Sequence, residues 1–178
     1  MRQTSSFKRR GQSGVSLLEL IVATAIVGIV SLAVATIYTT ANRYMLQDFN
    51  SSNAQSEASF ALEHIKKFVQ LATAIDNATL PVGGNSNALQ FTWTNREPPS
   101  TGALVTRTSR YEIQAGNLVF IQDTTVGAAE QLARGVSAIE FTRPLAGSIA
   151  VDLTVNVNAV TGTRQQRLQT TVNPRGVA

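Results

Sequence analysis

The chain of 178 residues contains no cysteine, and that absence removes several classes of protein at once. A disulfide scaffold, a thiolate zinc site and a cysteine nucleophile are all excluded. Histidine is nearly absent too, with His64 alone. It has no serine and aspartate near it in the sequence, and its helical setting reads as a surface position. Aspartate and glutamate are scattered and form no metal-ligand spacing with histidine or cysteine. No phosphate-binding loop and no dinucleotide glycine fingerprint occurs. No catalytic, cofactor-binding or metal-ligating residue is therefore assigned, and the chain is expected not to be an enzyme.

Positive charge is also missing where the total implies it. The formal net charge is +4, yet Arg2, Lys8, Arg9 and Arg10 precede Gly14 with no acid among them. Removing those four from 15 basic side chains leaves 11, against 11 acidic ones. The segment after Gly14 is formally neutral, so its charge gives no reason to expect a nucleic-acid partner.

What the chain does have is one long apolar run. From Gly14 the sequence reads Val15-Ser16-Leu17-Leu18-Glu19, and Leu20 to Ile37 then carries no charge. A membrane-spanning helix needs roughly 20 mostly apolar residues at about 1.5 Å each, and 15–37 meets that length. An ionisable residue in such a segment is costly and marks a functional position, here Glu19. Basic residues before the run orient it with the leader in the cytoplasm and the C-terminal part across the inner membrane. Ser16 and Glu19 are spaced as a capping box, which supplies a structural reason for the acid. Thr24, Gly28, Ser31 and Ala35 are four, three and four apart, placing small residues on one face where helices can approach closely in lipid. Ala33-Val34-Ala35 also fits a signal-peptidase site, and cleavage after Ala35 would release a soluble binding domain starting at Thr36.

A basic leader, a glycine, four residues, a glutamate and about twenty apolar residues resemble the N-terminus of type IV prepilins and pseudopilins. The resemblance implies a membrane peptidase that cuts between Gly14 and Val15 and methylates the new amine of Val15. It also makes Glu19 the glutamate that pairs with the amine of a neighbouring subunit during assembly. Buried charges are tolerable mainly when paired, which gives that pairing its physical basis. Gly28 stands where the family places a mid-helix glycine. Two positions depart: Val15 replaces the usual phenylalanine, and Thr36 stands where major pilins have a proline. The missing proline and the missing disulfide favour a minor subunit. The implied partners are prepilin peptidase, other pilin or pseudopilin subunits and the inner-membrane assembly platform. The implied destination is a pilus or pseudopilus.

Beyond the apolar run the helical pattern continues through 38–76. Asp48 to Ser59, with poor helix formers at Asn50, Ser51, Ser52 and Asn53, is the expected site of a bend or frayed turn. Phe60, Leu62, Ile65, Phe68, Val69, Ala72 and Ile75 then recur at three- and four-residue steps, so the helix is expected to reach Ile75. A breaker cluster from Asp76 to Asn87 ends it. The period changes to two at Leu89, Phe91 and Trp93. Loops are expected over Arg96–Gly102 and Asp123–Ala129. Strands are expected over Thr108–Ile113 and Leu118–Ile121 as a hairpin, then Val136–Thr142, Ile149–Val157 and Gln165–Val172. Arg107 and Arg110 read as a charged sheet edge.

The predicted fold class is α+β: a long N-terminal helix packed on a C-terminal antiparallel β-sheet whose apolar face covers Phe60, Ile65 and Phe68. The expected organisation is a cleaved leader (1–14), a transmembrane or filament-core helix (15–37), an amphipathic extension (38–76) and a β-rich domain (77–178). The pattern Tyr111 to Leu118 followed by Leu132 to Phe141 resembles J-type minor pseudopilins of type II secretion and W-type minor pilins. Two rival readings remain besides the secreted domain and the pilin: a signal-anchored extracytoplasmic β-domain without a filament and, more remotely, an enzyme.

Overall fold

The computed structural model describes residues 15–96, 104–125, 127–144, 147–159 and 162–176. The expected leader and residues 97–102 of the expected loop lie outside them. The chain divides into two compact units, Met1–Tyr44 and Met45–Ala178. Among the described residues one helix, α1 (Leu17–Gln70), runs through 54 residues, and nine strands follow it. They are β1 (Ala72–Ile75), β2 (Asn85–Ser86), β3 (Leu89–Arg96), β4 (Leu104–Gln114), β5 (Asn117–Ile121), β6 (Ala129–Ala133), β7 (Val136–Thr142), β8 (Ile149–Ala159) and β9 (Gly162–Val172). The fold class is α+β, with every strand pairing antiparallel.

The strands form two sheets rather than the single one expected. One has the order β1-β3-β4-β5-β6 and the other β2-β7-β8-β9. The chain passes between them at Gly135, whose φ of 64° suits a residue without a Cβ. Backbone bonds fix this corner: the Val136 N–H donates to Gly116 and the Asn156 N–H to Gly135. The Glu57 carboxylate on α1 accepts the Arg134 N–H at 3.0 Å, tying the same corner to the helix.

In the second unit, the stripe Ala58, Ala61, Leu62, Ile65 and Val69 is buried. Those positions fall at three- and four-residue steps, the spacing of one helix face. Ala58 and Ala61 are wholly buried, and their small side chains let the helix lie close to its partners. Burying Leu62, Ile65 and Val69 contributes about 1.5–3 kcal/mol each. Facing them are Leu89, Phe91 and Trp93 of β3, Tyr111 of β4, Leu118 and Phe120 of β5, and Phe141, Val151 and Leu153 of the second sheet.

Several expectations are corrected here. The helix stays unbroken through 48–59, where a frayed turn was expected. It ends at Gln70 and not at Ile75, and the Gln70 carbonyl accepts the Arg175 N–H of the C-terminal tail. Ala72 and Ile75 belong to β1, which pairs with β3 and carries an irregularity between Ala72 and Ala74. Residues three apart point to opposite faces of a regular strand. The irregularity turns both inward and so imitates helical spacing. Phe60 is 58% exposed and is not covered by the sheet. Arg107 and Arg110 lie on β4, the middle strand in the order of its sheet; β5 pairs with β4 from Arg110 onward, so Arg110 is not on an edge, while Arg107 pairs with Trp93 of β3 before that stretch begins. Arg110 pairs with Glu112 at 2.7 Å. β1, β2 and β6 were not foreseen: two are very short, and β6 begins Ala-Glu-Gln without alternation.

The β4–β5 hairpin turns through Ala115 (φ 50°) and Gly116 (φ 75°). Positive φ at both central residues is the mark of a tight turn whose twist matches the strands. Between these strands and β3 lies a buried polar pair. Trp93 Nε1 donates to Ser109 Oγ at 2.8 Å, and Ser109 donates onward to the Gln122 carbonyl. Ser109→Ala leaves the indole N–H buried without its acceptor. We expect a loss of about 1–3 kcal/mol in urea unfolding followed by Trp93 emission. A loss below about 0.5 kcal/mol would mean that water replaces the hydroxyl.

Candidate functional site

The candidate site is the start of α1. Val15 and Ser16 precede the first helical residue, and the Leu20 N–H donates to the Ser16 carbonyl at 3.1 Å. That bond makes Ser16 the N-cap and puts Glu19 in the first turn. A carboxylate there interacts favourably with the positive end of the helix dipole. The reciprocal side-chain bonds of a capping box do not form among the described residues. Val15 is 71% exposed, and Glu19 is exposed one turn further on. Gly14 lies outside the described residues, so the expected cleavage bond has no described geometry.

Around Glu19 and beyond it the apolar side chains have no cover among the described residues. Leu17, Leu18, Leu20, Ile21, Val22, Ile26, Val27 and Ile29 are all about half exposed or more. This helix is long and apolar enough to cross a membrane, and none of its most apolar 18-residue window is buried. Its hydroxyls turn back on its own backbone: Thr24 Oγ1 donates to the Ile21 carbonyl at 2.9 Å and Thr36 Oγ1 to the Leu32 carbonyl at 2.7 Å. Thr39 and Thr40 both donate to the Thr36 carbonyl. In hydrocarbon each polar group must be satisfied internally, and these bonds do that. At Thr36 the helix continues without a break, in keeping with the missing proline.

Thr24, Gly28, Ser31 and Ala35 all lie on α1 and are exposed. A Cβ placed on Gly28 would meet no atom within 4 Å. Among the described residues nothing therefore requires glycine there, and glycine has a cost to the helix.

One residue of consequence was missed by sequence reasoning. His64 is a half-buried member of an aromatic cluster and not a surface residue. Its Nδ1 lies 2.9 Å from the Tyr111 hydroxyl, and its ring stacks on Phe68. The available signal was the four-residue spacing of Phe60, His64 and Phe68. Its partner Tyr111 lies 47 residues away, and no local pattern announces it.

The family model described as the prokaryotic N-terminal methylation motif covers residues 9–35. That stretch contains Gly14, Val15, Glu19 and the small-residue face, and it supports a pilin-like, prepilin-type N-terminus on a membrane-anchoring helix. No curated protein matched the chain.

A packing role for Gly28 has a measurable consequence. Gly28→Leu should leave the unfolding midpoint of the β-rich part unchanged, because that Cβ meets open space. In a membrane reporter of helix association it should weaken self- or partner association by about fivefold, on the order of 1 kcal/mol. Unchanged association would assign the small residues to the general composition of membrane helices.

Proposed function

We propose that this chain is a minor pilin or pseudopilin, a structural subunit of a type IV pilus or type II secretion pseudopilus. The observation that carries the reading is the methylation-motif match over 9–35, joined to a helix whose apolar surface has no cover among the described residues. In this reading prepilin peptidase cuts after Gly14 and methylates Val15. The protein waits in the inner membrane by residues 15–37, with the β-rich domain outside the cytoplasm, until the assembly platform draws it into a filament.

The chemistry follows from the new amine. Cleavage leaves an ammonium at Val15, at the edge of the hydrocarbon. A carboxylate from a neighbouring subunit neutralises it, and Glu19 of the incoming subunit supplies that carboxylate. Pairing each Glu19 with the amine of another copy is a heterologous contact, and repetition of such contacts builds an open helix. The pair also sets the axial stagger, since two buried charges that miss each other cost several kcal/mol. The role is one of assembly and not of catalysis. The resemblance of Tyr111–Leu118 and Leu132–Phe141 to J-type pseudopilins and W-type minor pilins, with no cysteine in the chain and Thr36 in place of proline, favours a subunit that primes assembly at the tip.

The deciding experiment is the N-terminal residue and mass of the protein isolated from membranes with and without an active prepilin peptidase. Methylated Val15 with the peptidase, and intact Met1 without it, is the expected result. A start at Thr36 would replace this reading with a secreted domain. Gly14→Glu should block processing, and a cut product from that variant would move the site. Glu19→Ala should be processed nearly normally yet fail to enter filaments, with recovery in sheared filaments falling by tenfold or more, on the order of 1.4 kcal/mol of lost pairing at least. Normal recovery would remove the pairing role from Glu19.

A further inference from the structure

The histidine buried against the sheet does something the assembly reading does not need. The imidazole of His64 stacks on Phe68 with centroids 4.5 Å apart and meets Phe120 edge-on at 4.9 Å. Phe68 in turn packs edge-on against Trp93 at 5.6 Å. Tyr111 is wholly buried, and both partners of its hydroxyl belong to His64: the ring Nδ1 at 2.9 Å and the backbone carbonyl at 3.5 Å.

That geometry favours one protonation state. With a neutral ring the bond forms in either tautomer: the Tyr111 hydroxyl donates to a bare Nδ1, or it accepts from Nδ1–H and donates to the His64 carbonyl, and protonation removes the first of these arrangements. A protonated ring has donors on both nitrogens. The Tyr111 proton must then turn to the His64 carbonyl, at a distance beyond a good hydrogen bond. The charge would also sit against aromatic carbon in a half-buried position, where desolvation disfavours it.

We propose that His64 is a proton-sensitive latch between the Met45–Gln70 part of α1 and the five-stranded sheet, fastened while the imidazole is neutral and loosened when it takes up a proton. This goes beyond the assembly reading and does not rest on it.

The ionisable groups around the latch are few. Lys67 stands one turn along α1, Glu130 comes from β6 and Tyr111 from β4, while β5 contributes Phe120 and β3 contributes Trp93 by way of Phe68. Burial is the largest influence and lowers the His64 pKa below the ordinary value; Glu130 opposes it and Lys67 adds to it. Burial, with Glu130, raises the Tyr111 pKa, so the phenol stays protonated throughout. A histidine whose pKa is depressed on folding contributes stability that is complete above its unfolded value of about 6.5. That contribution is lost as pH falls through the folded value. Acid therefore opens the latch.

The chain carries its own probes, because it has one histidine and one tryptophan and both lie in this cluster. We would titrate the full chain in detergent micelles from about pH 8 to pH 4.5, following the imidazole Cε1–H resonance and Trp93 emission together. The expected result is an imidazole midpoint below about 6.5 with a Trp93 change at the same midpoint. Glu130→Gln should move both midpoints further down together. His64→Gln, which can still accept from Tyr111, should abolish the Trp93 change over that range. An imidazole midpoint at or above the ordinary value overturns the latch. So does Trp93 emission that ignores the imidazole titration, or a Trp93 transition that survives in His64→Gln. If His64→Gln does not fold, the joint response of the two midpoints to Glu130→Gln decides the matter.

Discussion

The constraint on which the molecule depends is that the first half of α1 is apolar on every side. From Leu17 to Ile37 the large side chains are exposed around the whole circumference. Each such residue left in water forgoes about 1.5–3 kcal/mol. An isolated helix has little intrinsic stability to set against that loss. Lipid, or a ring of similar helices, is the only surrounding that covers all faces at once. The backbone is prepared for it, with threonine hydroxyls folded back on carbonyls at Thr24, Thr36, Thr39 and Thr40.

The second half of the helix meets the opposite requirement. It faces water on one side, so its apolar residues gather in the stripe Ala58, Ala61, Leu62, Ile65 and Val69. Two sheets then share the work of covering it. The corner that joins them needs Gly135 for its positive φ and Glu57 for the Arg134 N–H. At the far end the tail closes on the Gln70 carbonyl, an orphan acceptor that a helix terminus must satisfy somewhere. Two sets of polar groups inside this core are hydrogen-bonded among themselves. Trp93, Ser109 and the Gln122 carbonyl form one chain of donors and acceptors, and Tyr111 with His64 forms another.

Much of this was legible in the sequence because it is written in local periodicity. The change of period from helical spacing to two at Leu89 marks the start of β3, and alternation through Val151, Leu153 and Val155 identifies β8. What local pattern could not carry was pairing. Arg110 looks like an edge residue in one dimension, and only the strand pairing puts it between β3 and β5. β6 has no alternation to read, and it exists because β5 offers it a ladder. β1 misled for a physical reason: its irregularity makes Ala72 and Ile75 face the core together, as they would on a helix. At the N-terminus the reverse holds: the resemblance that singles out Gly14, Val15 and Glu19 rests on a local pattern, and the methylation-motif match spans the same stretch, residues 9–35.

Two polar side chains on one helix show where the chain is complete and where it is not. His64 lies among aromatic rings, and the chain supplies its partner in Tyr111, held by β4 against Phe91 and Phe120. Glu19 stands at the head of an apolar run, and among the described residues no side chain reaches it. A carboxylate in water costs nothing to leave alone, but one at the edge of hydrocarbon is expensive unless paired. In the proposed processing the new amine lies at Val15, four residues before Glu19. In the proposed assembly a second copy of the same N-terminus, or a closely similar one, offers that carboxylate a cation, an apolar face and small residues in a matching order.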